Sequence, residues 1–467
     1  MKNLLFTLSL ALCFLCGAHA QTTYYLSASG NDANDGLVAS RPWLTPNHAI
    51  SCGDVILAAP STSYSYKNFA SGKWGRVSCG QQNNVAWLKC AKFDACKIAT
   101  PSGVQAFGMS VSSSFWGVQG WEISVLGRVT NGLSCFNAQP PDNTASIHHI
   151  IFANNIANVC DLAGFGVGSI YNGTTSVDYV AILGNISYKA GTSNTGCGSG
   201  IGVYQPAAVD HNPGTHIYVS GNLSYASTNP TVGCWDANGI SFDTFDGHSG
   251  MPHSYYEQAV IDNNLAIGNE GVGLRVEYND SGNGPAHSHI YVRNNTAWGN
   301  SVSQSMYGSP DCGELRLEWT VNTTAYQNLL ETTQPGCYGA DWNPNAAISA
   351  RYVDTSSQVM NNWANSNTGT NLQVRSGNGF SFGLNIVGVE PWLADPYVPG
   401  PPACGSFADV PSCMANVVNH LKPRLGLAKG FGYQAPQSVS KYDPLFPQWL
   451  CSASLPPGLV TMGCSAN

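Results

Sequence analysis

Short runs in which apolar and other residues alternate recur along the chain, each ending in asparagine. Aligned on that residue, the copies end at Asn155, Asn185, Asn222, Asn264, Asn295, Asn328 and Asn362, separated by 30, 37, 42, 31, 33 and 34 residues. A second alternating run follows most copies: Ile201-Gly202-Val203-Tyr204, Ile240-Ser241-Phe242-Asp243, Leu274-Arg275-Val276-Glu277, Leu315-Arg316-Leu317-Glu318, Ile348-Ser349-Ala350-Arg351 and Leu372-Gln373-Val374-Arg375. Phe165-Gly166-Val167-Gly168 reads as an earlier member of this series. Period-two alternation sends the Ile, Leu, Val and Phe side chains to one side of a strand and the intervening residues to the other.

A repeat of this length, built of short strands with no helical period, predicts a solenoid. Stacking the coils buries the apolar side as one continuous core. It also aligns the asparagines, whose amides can hydrogen-bond along the stack. The fold class is therefore all-β, a parallel β-helix. A β-sandwich with chance asparagine recurrence is the alternative, and the shared register of both series argues against it.

Around the coils, Thr23–Ser27 reads as a strand and Asn31–Gly36 as a turn cluster. Residues 42–50 read as a short helix capping the first coil, with Thr45 as N-cap and Pro46 at its first position. Residues 1–20 have the charged start, apolar run and Ala18-His19-Ala20 ending of a signal peptide. The expected organisation is 21–66 as an N-terminal lead-in and cap, 67–392 as coils with an irregular, disulfide-rich insertion at 67–135, and 393–467 as a C-terminal cap. That cap includes a helix near residues 410–421.

Several stretches resemble the N-terminal part of secreted right-handed β-helix proteins of the pectate-lyase-like superfamily. They are Tyr24-Tyr25-Leu26-Ser27, Ser29-Gly30-Asn31-Asp32, Asp35-Gly36, Pro42-Trp43, Ala49-Ile50 and Gly53-Asp54-Val55-Ile56-Leu57. The resemblance implies a right-handed helix. It also implies a role among polysaccharide lyases, glycoside hydrolases and polysaccharide binders.

Composition narrows the partners. Of the 467 residues only 10% are charged and the formal net charge is −8, with no basic runs, so nucleic acid is not expected. No run after the signal is long and apolar enough to span a membrane as a helix. Of the 16 cysteines, 14 lie beyond the signal. An even count in an exported chain predicts disulfides. Cys160, Cys197, Cys234, Cys312 and Cys337 share one place in the repeat, so bridges between neighbouring coils are expected. No C-x-x-C pair occurs there, which argues against zinc.

Chemistry concentrates in the second series, whose outward positions form two columns. One reads Gly202, Ser241, Arg275, Arg316, Ser349, Gln373 and the other Tyr204, Asp243, Glu277, Glu318, Arg351, Arg375. Four of the chain's nine arginines lie here, beside three carboxylates on consecutive rungs. Stacked like charges repel unless compensated by arginine, by a bound cation or by protonation of one acid. Arginine alone gives a surface salt-bridge lattice of little energetic weight. A cation gives Ca²⁺ on Asp243, Glu277 and Asp236. In that case, as the resemblance implies, Arg275 or Arg316 is the base of a lyase acting on an acidic glycan. A protonated acid gives a glycoside hydrolase using Asp243, Glu277 or Glu318, for which adjacent rungs about 5 Å apart suit a retaining pair and alternate rungs, roughly 9–10 Å apart, an inverting pair. Tyr204, Trp235, Tyr278 and Trp319 are candidate sugar-stacking residues beside Arg351 and Arg375. The expectation is a secreted monomer that cleaves an extracellular polysaccharide, with the lyase ahead of the hydrolase and a non-catalytic binder third.

Overall fold

The computed structural model describes residues 21–79, 84–104, 106–125, 133–142, 144–168, 175–192, 198–228, 236–245, 255–277, 289–302, 312–333, 346–366, 370–375, 381–388, 432 and 443–455. These form a parallel β-solenoid. Three sheets of 12, 11 and 9 strands run its length, and each strand pairs in parallel with its counterpart one coil away. The first sheet holds the asparagine-terminated strands, from Thr23–Leu26 to Ser381–Phe382. The second holds short strands just after each asparagine, and the third holds the second alternating series.

The two series keep the register that the sequence predicts. Ile240 pairs with Leu274, Leu315 and Ile348 in turn, all fully buried. Asp243, Glu277, Glu318 and Arg351 form the outward column, joined rung to rung, and the backbone of Arg375 continues the register. The third sheet begins earlier than the sequence suggests, with Met109–Val111 and Phe136–Ala138 preceding Phe165–Gly168.

All seven asparagines lie on one buried corner, and Asn385 extends the column to eight. Each backbone N–H and side-chain amide donates to the Oδ1 of the next asparagine, for example from Asn185 to Asn222 at 2.8 and 3.0 Å. The amide's second hydrogen reaches a carbonyl of the preceding coil, as from Asn185 to Phe152 at 2.9 Å. The residue before each of the seven asparagines from Asn155 to Asn362 is left-handed: φ is, for example, 52° at Asn154, 61° at Gly184, 56° at Asn263, 55° at Asn294 and 57° at Gln327. Glycine and asparagine are the residues that tolerate this conformation best.

Three expectations change. Residues 42–50 form no helix: Asp32 accepts hydrogen bonds from the N–H groups of Leu44 and Thr45 and from the Thr45 hydroxyl. Trp43 bridges to Leu26 and stacks between Tyr24 and His48, so a tryptophan rather than a helix covers this end. Within 67–135 the strands Ala86–Cys90 and Cys96–Thr100 are already in register with the coils, ahead of the coil-like alternation that the sequence shows over 114–123, where Trp116–Gln119 and Trp121–Val125 are strands. Residues 443–455 do not cap the end. They run back along the outer face of the first sheet, packing Phe446, Trp449, Leu450 and Ala453 on Tyr218, Tyr179 and Trp87. Thr215 Oγ1 donates to the Leu445 carbonyl at 2.8 Å, and Trp87 Nε1 donates to the Ala453 carbonyl at 2.9 Å.

Disulfides join Cys52 to Cys79, Cys90 to Cys96 and Cys135 to Cys160, the last between neighbouring coils as expected; Cys312 and Cys451 are also disulfide-bonded. Among the described residues no helix is long and apolar enough to cross a membrane. The signal peptide, Cys197, Cys234, Cys337 and the helix expected near 410–421 lie outside the described residues.

Candidate active site

Alternation on the strand Leu274–Glu277 turns Leu274 and Val276 into the core and Arg275 and Glu277 outward. Arg275 stands at the centre of three acids. Its Nη1 lies 3.0 Å from Asp236 Oδ1 and 3.1 Å from Asp243 Oδ2, and its Nη2 pairs with Glu277. Asp243 follows from the strand one coil back, and Thr244 Oγ1 donates to its other oxygen at 2.7 Å. Asp236 comes from the loop before that strand. Asn238 Nδ2 donates to Asp236 Oδ1 at 3.3 Å, while Asn238 Oδ1 accepts from Val272 N–H at 2.9 Å.

A second cluster continues the stripe. Glu318 joins Arg316 on its own strand to Arg351 on the next coil, where the Nη1–Oε1 distance is 3.1 Å. The arginine compensation considered from the sequence is thus present. Its setting differs from expectation, however, because this lattice is not on a solvated face: Arg316 is 1% exposed and Arg275 7%. A buried ion-pair lattice is costly, since desolvation can exceed the attraction between the charges. Stability alone is therefore a weak reason for these residues.

The environments of the charges differ. Burial raises Asp236 to about 6, helped by the Asp243 carboxylate and opposed by Arg275. Burial lowers Arg316 to about 10, with Arg275 and Arg351 adding to the effect and Glu318 opposing it. Asp236 keeps 24% of its side chain open and Asp243 19%, more than Arg275 or Arg316, so around Arg275 the carboxylates are the more accessible groups.

The aromatic candidates divide. Tyr204, one rung before Asp243, is 43% exposed. Trp319 and Tyr352 stack on each other with centroids 3.8 Å apart, and Arg351 lies over Tyr352, so these rings spend faces on one another as part of the wall. Trp235, Tyr278 and the Arg375 side chain lie outside the described residues, as do Asp246, His248, His253 and His287. The sequence reading took Asp236 for a turn residue or metal ligand and missed Gln205, whose Nε2 donates to the Tyr204 hydroxyl at 3.2 Å. Neither role carries a local signal, because each depends on a neighbour brought in by stacking or by the turn after the strand.

No protein-family model matches the sequence, and no curated protein does. Solved parallel β-helix structures resemble the chain in fold. A GH136 lacto-N-biosidase from Eubacterium ramulus shares 12% identity at a TM-score of 0.49, covering 79% of this chain and 68% of that one. Pectate lyase Pel9A shares 16% at 0.40, covering 96% and 98%. The A-module of the Azotobacter vinelandii mannuronan C-5 epimerase AlgE4 shares 12% at 0.43, covering 72% and 87%.

Proposed function

We propose that the stripe from Tyr204 to Arg351 is the active groove of an exported glycoside hydrolase acting on polysaccharide by the retaining route. The observation that carries this reading is the sharing of Arg275 Nη1 by Asp236 and Asp243. Two oxygens at 3.0 and 3.1 Å from one nitrogen are no more than about 6 Å apart, below the roughly 6.5–9.5 Å of an inverting pair. The environments also separate the roles. Asp236, raised to about 6, holds a proton for the leaving oxygen. Asp243, held by Arg275 and Thr244, is the carboxylate that attacks the anomeric carbon. After the covalent glycosyl-enzyme forms, Asp236 takes a proton from water, whose oxygen attacks the anomeric carbon and displaces the Asp243 carboxylate, releasing the sugar. The described disulfides favour an oxidising compartment, in keeping with export.

The three carboxylates expected to hold Ca²⁺ do not fit that ion, because a guanidinium already stands among Asp236, Asp243 and Glu277. Arg275 supplies the neutralising charge, and no step is routed through a metal. A lyase reading keeps one observation in its favour: Arg316, brought down to about 10, is easier to deprotonate than an ordinary arginine. Its burial sets it behind the acids.

A panel of neutral and acidic polysaccharides, read for new reducing ends and for unsaturated-product absorbance, tests the choice. The expected result is reducing ends without absorbance, unchanged by chelator. Absorbance that vanishes with chelator would instead establish the Ca²⁺-assisted lyase.

A further inference from the structure

The outward face of the third sheet opens where the acids end. On the coil before Asp243, the outward positions of the strand Ile201–Tyr204 are Gly202 and Tyr204. A Cβ built on Gly202 would meet none of the described residues within 4 Å, so the position itself has room for a larger group. The rung before it presents Gly166 and Gly168, both half-exposed, and adds no bulk over the opening.

Two buried polar atoms on this rung and the next have no hydrogen-bond partner among the described residues. Ser241 is the next residue along the Gly202 column, on the Asp243 strand, and so points to the same outer surface. It is 3% exposed, and its Oγ has no partner. Gln205 follows Tyr204 at a left-handed turn; its Nε2 is used by the Tyr204 hydroxyl, but its Oε1, also buried, has no partner. Leaving a buried hydroxyl and a buried amide oxygen unsatisfied costs about 1–3 kcal/mol each. Such groups are found where something else completes them.

We propose that the space over Gly202 is a glycosyl-binding subsite that takes an uncharged sugar ring adjoining the bond cleaved at Asp236 and Asp243. The proposal rests on the hydrolase reading for its place next to the scissile bond. Gly202 leaves room for the ring, Tyr204 offers an exposed aromatic side, and Ser241 Oγ and Gln205 Oε1 bond sugar hydroxyls. The unsatisfied groups are neutral. Among the described residues the arginine on the next rungs, Arg275, is already held by Asp236, Asp243 and Glu277, which disfavours a uronate here.

The test uses the full chain and its Gly202→Trp, Gly202→Ala and Ser241→Ala variants. Binding of neutral oligosaccharides and of uronate oligosaccharides is measured by calorimetry, with KM and kcat on any polysaccharide cleaved. Gly202→Ala, which adds one methyl to the same space, should weaken binding less than Gly202→Trp. Gly202→Trp should melt with the parent yet weaken neutral-oligosaccharide binding and raise KM by at least about tenfold, and Ser241→Ala should weaken binding several-fold. Unchanged binding in a folded Gly202→Trp overturns the subsite, as does absence of binding by the parent. Should Gly202→Trp not fold, unchanged binding in Ser241→Ala overturns it. Binding of uronate oligomers alone overturns the uncharged assignment. A parent that binds neutral oligosaccharides through Gly202 but cleaves nothing overturns the hydrolase reading and leaves the subsite standing.

Discussion

Asn264 and Asn295 are joined twice: the backbone N–H and the side-chain amide of Asn264 both donate to Asn295 Oδ1, at 2.9 and 3.0 Å. Both residues are fully buried, so removing one amide strands donors and acceptors above and below. Asn264→Ala and Asn295→Ala are each expected to cost about 1–3 kcal/mol of stability while leaving any catalytic rate unchanged. Chemical denaturation measures the first and steady-state kinetics the second. Two variants as stable as the parent would remove the ladder from the account of the fold.

The shared nitrogen at Arg275 makes a different prediction. Asp236→Asn and Asp243→Asn should each lower activity by roughly a hundredfold or more. Neither should destabilise the fold much, since each relieves a crowded acid cluster. In the parent, kcat/KM should fall as pH rises through about 6, where Asp236 loses its proton. Because the Asp243 charge helps hold Asp236 up, Asp243→Asn should bring the Asp236 pKa down. Carboxyl NMR titration reads this without any substrate, and an unmoved or rising pKa would break the assignment.

His216 lies under the covering segment with an acceptor at each ring nitrogen: Asp178 at Nδ1, 3.1 Å, and the Asn212 carbonyl at Nε2, 2.8 Å. Glu257 stands 4.0 Å from Nε2, and the Tyr179 ring stacks on the imidazole. Two acceptors require two N–H groups, hence an imidazolium. Burial alone would lower its pKa, but the hydrogen bond and charge of Asp178 outweigh burial and raise it. A raised folded pKa gives stability that is complete below the unfolded value of about 6.5 and is lost as pH climbs through the folded value. The melting temperature should therefore decline above about pH 6.5, and His216→Gln should flatten that slope. An identical slope in the variant rules out this histidine as its source.

The Cys135–Cys160 bridge closes a 25-residue separation between neighbouring coils. Replacing both cysteines by serine should cost about 2–4 kcal/mol, and mass spectrometry of unreduced protein should find this pair linked. Free thiols at both positions would count against the bridge and against export.

The solenoid was legible because every coil repeats one demand. Apolar residues at alternate positions and asparagine at the corner recur whatever the loops do. The columns through Arg275 and Asp243 followed from the same alternation. How deep they lie did not follow, because burial of an outward residue depends on what covers it. Asp236 was undervalued because Asp236-Ala237-Asn238-Gly239 is also an ordinary turn, and its link to Arg275 spans 39 residues of chain. Thr45 and Pro46 imitated a helix start because a hydroxyl before proline serves a helix cap and an Asp32-centred loop equally well.

The segment 443–455 changes what kind of object this solenoid is. A simple stack has only neighbour-to-neighbour contacts, so its parts can come and go independently. Here the bond from Trp87 to Ala453 spans 366 residues and that from Thr215 to Leu445 spans 230. During synthesis Trp87 stays without this cover until residue 453, 366 residues later, has emerged. Closure by this distant segment then acts as a check: a chain truncated before residue 443 keeps the described coils but leaves a bare apolar flank for proteases and chaperones to find.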